Sequence, residues 1–335
     1  MPIKILFFGF VSVIVFLLVN KFSFVFKMVD TPSKKKFHQK VVPYTGGLAI
    51  FICFLIYQKF FDSEYKILSI ILSYSIFLIL LGLIDDKYGL NVGSRLMFQI
   101  FIGYLVFEAG LKITSVGVFP YLNEIKTGEF SVIFTIFMFI FFFNFSNYID
   151  GIDGLAGTLF IISVLSPVLF FNNIIVDRNI INFVCIICLI IIIFLFFNFS
   201  VLKLPKMFLG NSGSLLLGYF LGCYLIFLTT KYNELPKSLI FFCTPIMFFE
   251  FVATNLSRLL RKKHIFKGGK DHIHYLLYRK YGQSICLLIL NISNLVMAFL
   301  FCKISMYSEL YSIILFILFF TIFFYLRENL IKKKY

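Results

Sequence analysis

The run INFVCIICLIIIIFLFFNF, residues 181–199, sets the fold class. It holds no charged residue, and at 1.5 Å per residue a helix of that length crosses the hydrocarbon core of a bilayer. Its two cysteines, Cys185 and Cys188, have the spacing of a redox or metal pair. They are embedded in isoleucine, however, and read as small packing residues. Similar runs recur along all 335 residues, at about 4–26, 44–61, 67–84, 95–111, 130–147, 155–172, 180–199, 213–229, 237–256, 284–303 and 309–327. The expectation is an all-α, polytopic helical bundle of about eleven transmembrane helices. The whole chain, 1–335, reads as one membrane-embedded domain that includes a long basic loop at 257–283.

Composition agrees. Hydrophobic residues make up 60% of the chain and charged residues 14%, against roughly 25% in soluble domains. The mean hydropathy is +0.96. These values exclude a soluble globular enzyme and a disordered chain. The net charge of +15 falls in short clusters between apolar runs, which is a membrane pattern and not a nucleic-acid-binding one. The lack of short alternating segments argues against an outer-membrane barrel. The first run is too long for a signal-peptide core and no small-residue cleavage site follows it, so it reads as a retained span.

Most lysines and arginines fall on one side of this topology, including Lys34-Lys35-Lys36, Arg261-Lys262-Lys263 and Lys332-Lys333-Lys334. That side is assigned to the cytoplasm. The unusual polar residues gather on the same side, so a site built from several cytoplasmic loops is expected. A transporter would instead place its ionisable groups near the bilayer midplane, where only Glu250 stands out.

Five constellations carry the chemistry. In Gly82-Leu-Ile-Asp85-Asp86-Lys87, adjacent carboxylates raise each other's pKa, a cost that a divalent cation or a phosphate proton would relieve. In Asn144-Phe-Ser-Asn147-Tyr-Ile-Asp150-Gly151-Ile-Asp153-Gly154, two amides and two carboxylates close a very apolar helix, which is more polarity than a helix cap needs. The third, Lys206-Met-Phe208-Leu-Gly210-Asn211-Ser212-Gly213-Ser214, offers an aromatic face and the N–H groups of a helix N-terminus to a phosphate. Gly218 and Gly222 continue it as a packing stripe. The fourth is the basic loop with Arg258, Arg261, Asp271, His272 and His274, where the histidines suit phosphate contact or proton handling. The fifth runs from Asp30 through Lys36 and His38 to Pro43 and Gly46-Gly47. It fits either phosphate binding or a membrane-surface patch.

In this order and spacing the five blocks resemble the polyprenyl-phosphate N-acetylhexosamine-1-phosphate transferases of glycosyltransferase family 4, over about residues 27–285. Asp271-His-Ile-His274 is closer to the His-Ile-His-His of the branch that takes UDP-N-acetylglucosamine than to the His-His-His of the peptidoglycan branch. Tyr275 stands in place of the last histidine.

The resemblance implies a multi-pass enzyme of the bacterial inner membrane, with its site facing the cytoplasm. It would transfer a sugar-1-phosphate from a UDP-N-acetylhexosamine to undecaprenyl phosphate, release UMP, and so initiate a cell-envelope polysaccharide that downstream glycosyltransferases extend. It implies Mg²⁺ or Mn²⁺ as cofactor and no nucleic-acid partner, and it leaves a homodimer open. Asp85, Asp86, Asp150 and Asp153 become the catalytic set, with Asp86, Asp150 and Asn211 at the metal. Lys36, His38, Asn144, Asn147, Gly151, Asn198, Phe208, Arg258, Arg261, His272 and His274 become substrate contacts. The family usually has Asp at the position of Asn211, and an amide ligates Mg²⁺ without supplying charge. Three readings follow: an active but altered site, a weak metal site filled only with substrate, or an impaired relative that binds or flips lipid-linked glycans.

Overall fold

A computed structural model describes residues 2–32, 39–60, 66–119, 123–264 and 269–332. Helices dominate because a chain this apolar must satisfy its backbone groups within each segment. In order they are α1 (Pro2–Val25), α2 (Gly46–Phe60), α3 (Lys66–Tyr88), α4 (Val92–Glu108), α5 (Ser131–Ile149) and α6 (Leu155–Phe170). Then follow α7 (Arg178–Asn198), α8 (Gly210–Lys231), α9 (Leu239–Phe242), α10 (Pro245–Leu260), α11 (Ile273–Ser305) and α12 (Glu309–Lys332). Two short antiparallel ribbons complete the described elements: β1 (Val29–Asp30) with β2 (Val42–Pro43), and β3 (Ser115–Phe119) with β4 (Asn123–Lys126).

The protein is a polytopic membrane protein. Six of the described helices are long and apolar enough to cross a bilayer: α1, α5, α7, α8, α11 and α12. A helix lies over each of the eleven runs read from the sequence. Two boundaries differ from that reading. The ninth run breaks between α9 and α10 around Cys243-Thr244, with Pro245 opening the second piece. Of the stretch 257–283 read as loop, residues 273–281 are helical, and α11 breaks only at Gly282, where φ is +80°.

α8 is the axis of the bundle. In its apolar stretch 89% of the residues are buried, against 11% in α12, which lies on the periphery. Glycines let its neighbours close on it. A Cβ at Gly82 of α3 would stand 2.2 Å from the Ser212 Cα, and one at Gly47 of α2 would stand 2.1 Å from the Gly213 nitrogen. Farther along, a Cβ at Gly218 would meet the Phe142 carbonyl at 2.4 Å, so this glycine does serve packing against α5. The first turn of α8 is thereby wedged between the start of α2 and the last turns of α3, which carry Asp85 and Asp86.

Candidate functional site: two chambers meeting at an acidic junction

Because Gly82 holds the last turns of α3 against the start of α8, Asp85 and Asp86 face Asn211. The Asn211 backbone N–H donates to Asp86 Oδ2 at 2.9 Å and to Oδ1 at 3.2 Å. The helix N-terminus that the sequence offered to a phosphate thus already holds a carboxylate, a favourable placement against the helix dipole. The Asn211 side chain bridges two further groups. Its Nδ2 donates to Asp85 Oδ2 at 3.1 Å, and its Oδ1 accepts from Asn147 Nδ2 at 2.9 Å. Asn147 also donates to Ser214 Oγ. Asp85 additionally accepts from the Leu90 backbone N–H at 2.8 Å and pairs with Arg95 at 3.4 Å.

Asp150 follows the last residue of α5. Burial, and then the neighbouring charges of Asp86 and Asp153, push its carboxyl up to about 7. Asp153, three residues on, forms a 2.5 Å ion pair with Lys206, whose ammonium also sits 5.4 Å from the centre of the Phe208 ring. Asn198 is buried with both ends of its amide engaged: it accepts from Gly154 N–H at 2.6 Å and donates to the Met207 carbonyl at 3.0 Å. It therefore ties the Asp150–Gly154 turn to the Phe208 segment.

These residues line two chambers. The first, of about 550 Å³, is bounded by Asp86, Asp150, Asp153, Lys206, Phe208 and Lys270, among others. The second, of about 510 Å³, has Asp85, Arg95, Asn144, Arg258 and His272 at its polar end and Leu96, Ile140, Leu215 and Phe251 along its wall. Asp150, Gly151, Asn211 and Tyr275 belong to both. The acidic pair of α3 is thus split, with Asp86 in one chamber and Asp85 in the other.

The basic loop is held by a buried network. Arg258 makes a two-pronged pair with Asp271, at 2.7 and 3.0 Å. Burial alone would raise the Asp271 carboxyl, but this guanidinium and the adjacent His272 hold it down at about 2. His272 Nδ1 donates to Glu250 Oε1 at 2.9 Å, and so does the Ile273 backbone N–H at 3.0 Å.

Two residues expected at the substrate are directed elsewhere. His274 is fully buried, and its Nε2 lies where a side chain on Gly151 would begin, so it lines neither chamber. Arg261 pairs with Glu328 of α12. Lys36 and His38 lie outside the described residues. Sequence reading gave no role to Arg95 and Gln99 of α4, Lys270, Tyr275, or the Arg327-Glu328 pair of α12. For Arg95, Lys270, Arg327 and Glu328 the available signal was a charge inside or at the edge of an apolar run.

Among the described residues, no three Asp, Glu, His or Cys side chains converge as a closed metal cage. Mg²⁺ commonly relies on one or two carboxylates together with substrate phosphates. Asp86 and Asp150 fit that mode, being neighbours whose charges oppose each other and which face the same chamber. Their mutual repulsion is what a cation would relieve. Asn211 Oδ1 accepts from Asn147 and keeps a second lone pair, so it could meet such a cation without adding charge.

Fold and site together define an integral membrane protein whose two adjoining clefts are polar where they meet and apolar along one wall. Comparison with known families narrows this class. The model of Glycosyl transferase family 4 matches residues 68–229, a segment that holds the first acidic pair, the Asn144–Gly154 block and the start of α8. It is 29% identical over 267 residues to an undecaprenyl-phosphate alpha-N-acetylglucosaminyl 1-phosphate transferase of Thermotoga maritima, covering 79% of this chain and 77% of the relative. It is 28% identical over 313 residues to a probable undecaprenyl-phosphate N-acetylglucosaminyl 1-phosphate transferase of Bacillus subtilis, covering 92% and 85%. To the Escherichia coli K12 protein of the same name as the Thermotoga one, it is 26% identical over 264 residues, covering 75% and 69%.

Proposed function

We propose that this chain transfers N-acetylhexosamine-1-phosphate, with N-acetylglucosamine as the sugar, from its UDP donor to undecaprenyl phosphate at the cytoplasmic face of a bacterial inner membrane. The helices over all eleven apolar runs would each cross or enter the bilayer as one domain. The observation that carries the reading is the pair of chambers joined at Asp150 and Asn211, with one carboxylate of the Asp85-Asp86 pair in each. The relatives' names support the choice of substrates.

The polar chamber takes the nucleotide sugar. Phe208 offers a face for the uracil, Lys206 and Lys270 meet the diphosphate, and Asp153 orients Lys206 through their ion pair. The second chamber takes the lipid phosphate. Arg95, Arg258 and His272 form its cationic or donor end, and its apolar wall accompanies the first isoprene units.

In the reaction, an oxygen of the lipid phosphate forms a bond to the β-phosphorus of the donor. The bond from that phosphorus to the bridging oxygen breaks, and UMP leaves with the electron pair. Asp85, in the acceptor chamber, is placed to take the remaining proton of the lipid phosphate. Asp86 and Asp150 would hold Mg²⁺, which when bound supplies positive charge against the diphosphate. Asn147 and Asn211 keep the carboxylates apart and aimed.

A second reading, a non-catalytic binder of lipid-linked glycans, is favoured by Asn211, whose amide is engaged at both ends. Purified protein with sugar-labelled UDP-N-acetylglucosamine and undecaprenyl phosphate separates the two. The transferase yields a labelled lipid and an equal amount of UMP with Mg²⁺ and neither with EDTA. The binder yields neither under any condition while still retaining nucleotide or lipid.

A further inference from the structure

α12 faces outward along most of its length, yet it contains the largest fully buried side chain in the described protein, Arg327. A guanidinium placed there loses its hydration and needs partners in return. Arg327 Nη1 donates to Glu328 Oε1 at 2.8 Å, and Nη2 donates to the Asp271 carbonyl at 2.8 Å and to Thr254 Oγ1 at 3.1 Å. The Thr254 hydroxyl passes this on by donating to Glu250 Oε1 at 3.0 Å. Glu250 Oε1 is the oxygen that receives His272 Nδ1 and the Ile273 N–H. Glu328 in turn binds Arg261.

One side chain of the last helix therefore grips the His272 segment twice, once at the backbone just before the histidine and once through the Thr254–Glu250 relay. Two of the residues it fixes reach the second chamber. His272 lines that chamber directly, and so does Arg258, whose partner Asp271 is the residue held by its carbonyl. No residue of the relay from Arg327 to Glu250 lines the first chamber.

We infer that Arg327 is a positioning residue for the acceptor phosphate, and that α12 completes the acceptor chamber as well as anchoring the chain. The inference rests on the two-chamber reading above. A lysine at this position keeps the charge, but it cannot hold a carboxylate, a hydroxyl and a carbonyl at once from a planar fork.

The test is steady-state kinetics of the full-length protein in detergent micelles, varying undecaprenyl phosphate and UDP-N-acetylglucosamine separately, with calorimetric titration of UMP alongside. Arg327→Met is expected to raise the KM for the lipid phosphate about tenfold or more, equivalent to one lost charge-assisted contact. The KM for the nucleotide sugar and the UMP affinity stay within about twofold. Arg327→Lys falls between wild type and Arg327→Met. Thr254→Val cuts only the relay, leaving Arg327 on Asp271 and Glu328, and should raise the lipid KM about threefold or more while retaining the fold. A purely structural role would lower the amount of active enzyme and leave both KM values unchanged. That result, or equal rises in both, overturns the inference while the transferase reading stands. A wild-type chain that transfers nothing overturns both.

Discussion

Replacing Asn211 by Asp tests the acidic junction most sharply. In the wild-type chain the amide Nδ2 donates to Asp85 across 3.1 Å, while the backbone N–H of the same residue holds Asp86. A carboxylate there removes the donated hydrogen bond, worth about 1.5–3 kcal/mol when the acceptor is charged. It also sets a third negative charge about 4 Å from Asp85, which costs on the order of 4 kcal/mol at an effective dielectric constant of about 20. Proton uptake would relieve part of this, so a net loss of about 2–4 kcal/mol in chelator is expected. For a chain of this size that is a fall of several degrees, at about 2–4 °C per kcal/mol. A divalent cation reverses the sign, because three carboxylates then face one dication. Thermal unfolding followed by intrinsic tyrosine fluorescence, in EDTA and across a Mg²⁺ titration, reads both halves. Asn211→Asp should melt below wild type in EDTA and gain more from Mg²⁺. Equal melting in EDTA together with equal response to Mg²⁺ would refute the reasoning.

Asp150, raised from an ordinary 3.8 to about 7, keeps in the folded chain a proton that the unfolded chain releases between pH ~4 and ~7. Its contribution to stability therefore rises as pH falls through 7 toward 4 and is lost above 7; Asp150→Asn should flatten that slope in melting curves between pH 5 and 8. By the same titration, Mg²⁺ affinity measured by calorimetry should strengthen as pH rises toward and past 7, and Asp150→Asn should weaken it at every pH. Lys206→Met removes a partly buried ion pair and the cation over Phe208, and should weaken UMP binding about tenfold in calorimetric titration. Gly82→Ala forces a methyl to within 2.2 Å of the Ser212 Cα, so α3 must move off α8, at a cost of about 1–3 kcal/mol. Turnover should fall about a hundredfold as Asp85 and Asp86 leave register, with the lipid KM and nucleotide KM both altered.

The helices and the acidic blocks could be read from the sequence because both follow local rules. Apolar runs of bilayer length leave the backbone little choice, and carboxylates or amides at their ends are costly enough to mark a site. What could not be read was which polar atom meets which. Asn198, like Asn144 and Asn147, is an amide at the end of an apolar run, yet both ends of its amide are spent on Gly154 and Met207. His274 sits two residues from His272 and ends up sealed beneath Gly151, because the first turn of α11 rotates it inward. Asp86, expected at a ligand, also holds the first turn of α8, a contact across 125 positions that no local pattern encodes. The same holds for Arg327, whose partners Thr254 and Asp271 lie 73 and 56 residues away. The break in the ninth run did have a signal, Pro245, which fixes a helix start in the middle of an apolar stretch.

In the proposed transfer phosphorus, and not the sugar alone, crosses from one chamber to the other. UDP-N-acetylglucosamine labelled at the β-phosphorus, incubated with the protein, undecaprenyl phosphate and Mg²⁺, tests it directly. The label is expected to enter the organic-extractable lipid, and the released UMP to carry none. Label that stays in the aqueous phase as UDP while the sugar moves to lipid, or that does not move at all, would contradict it.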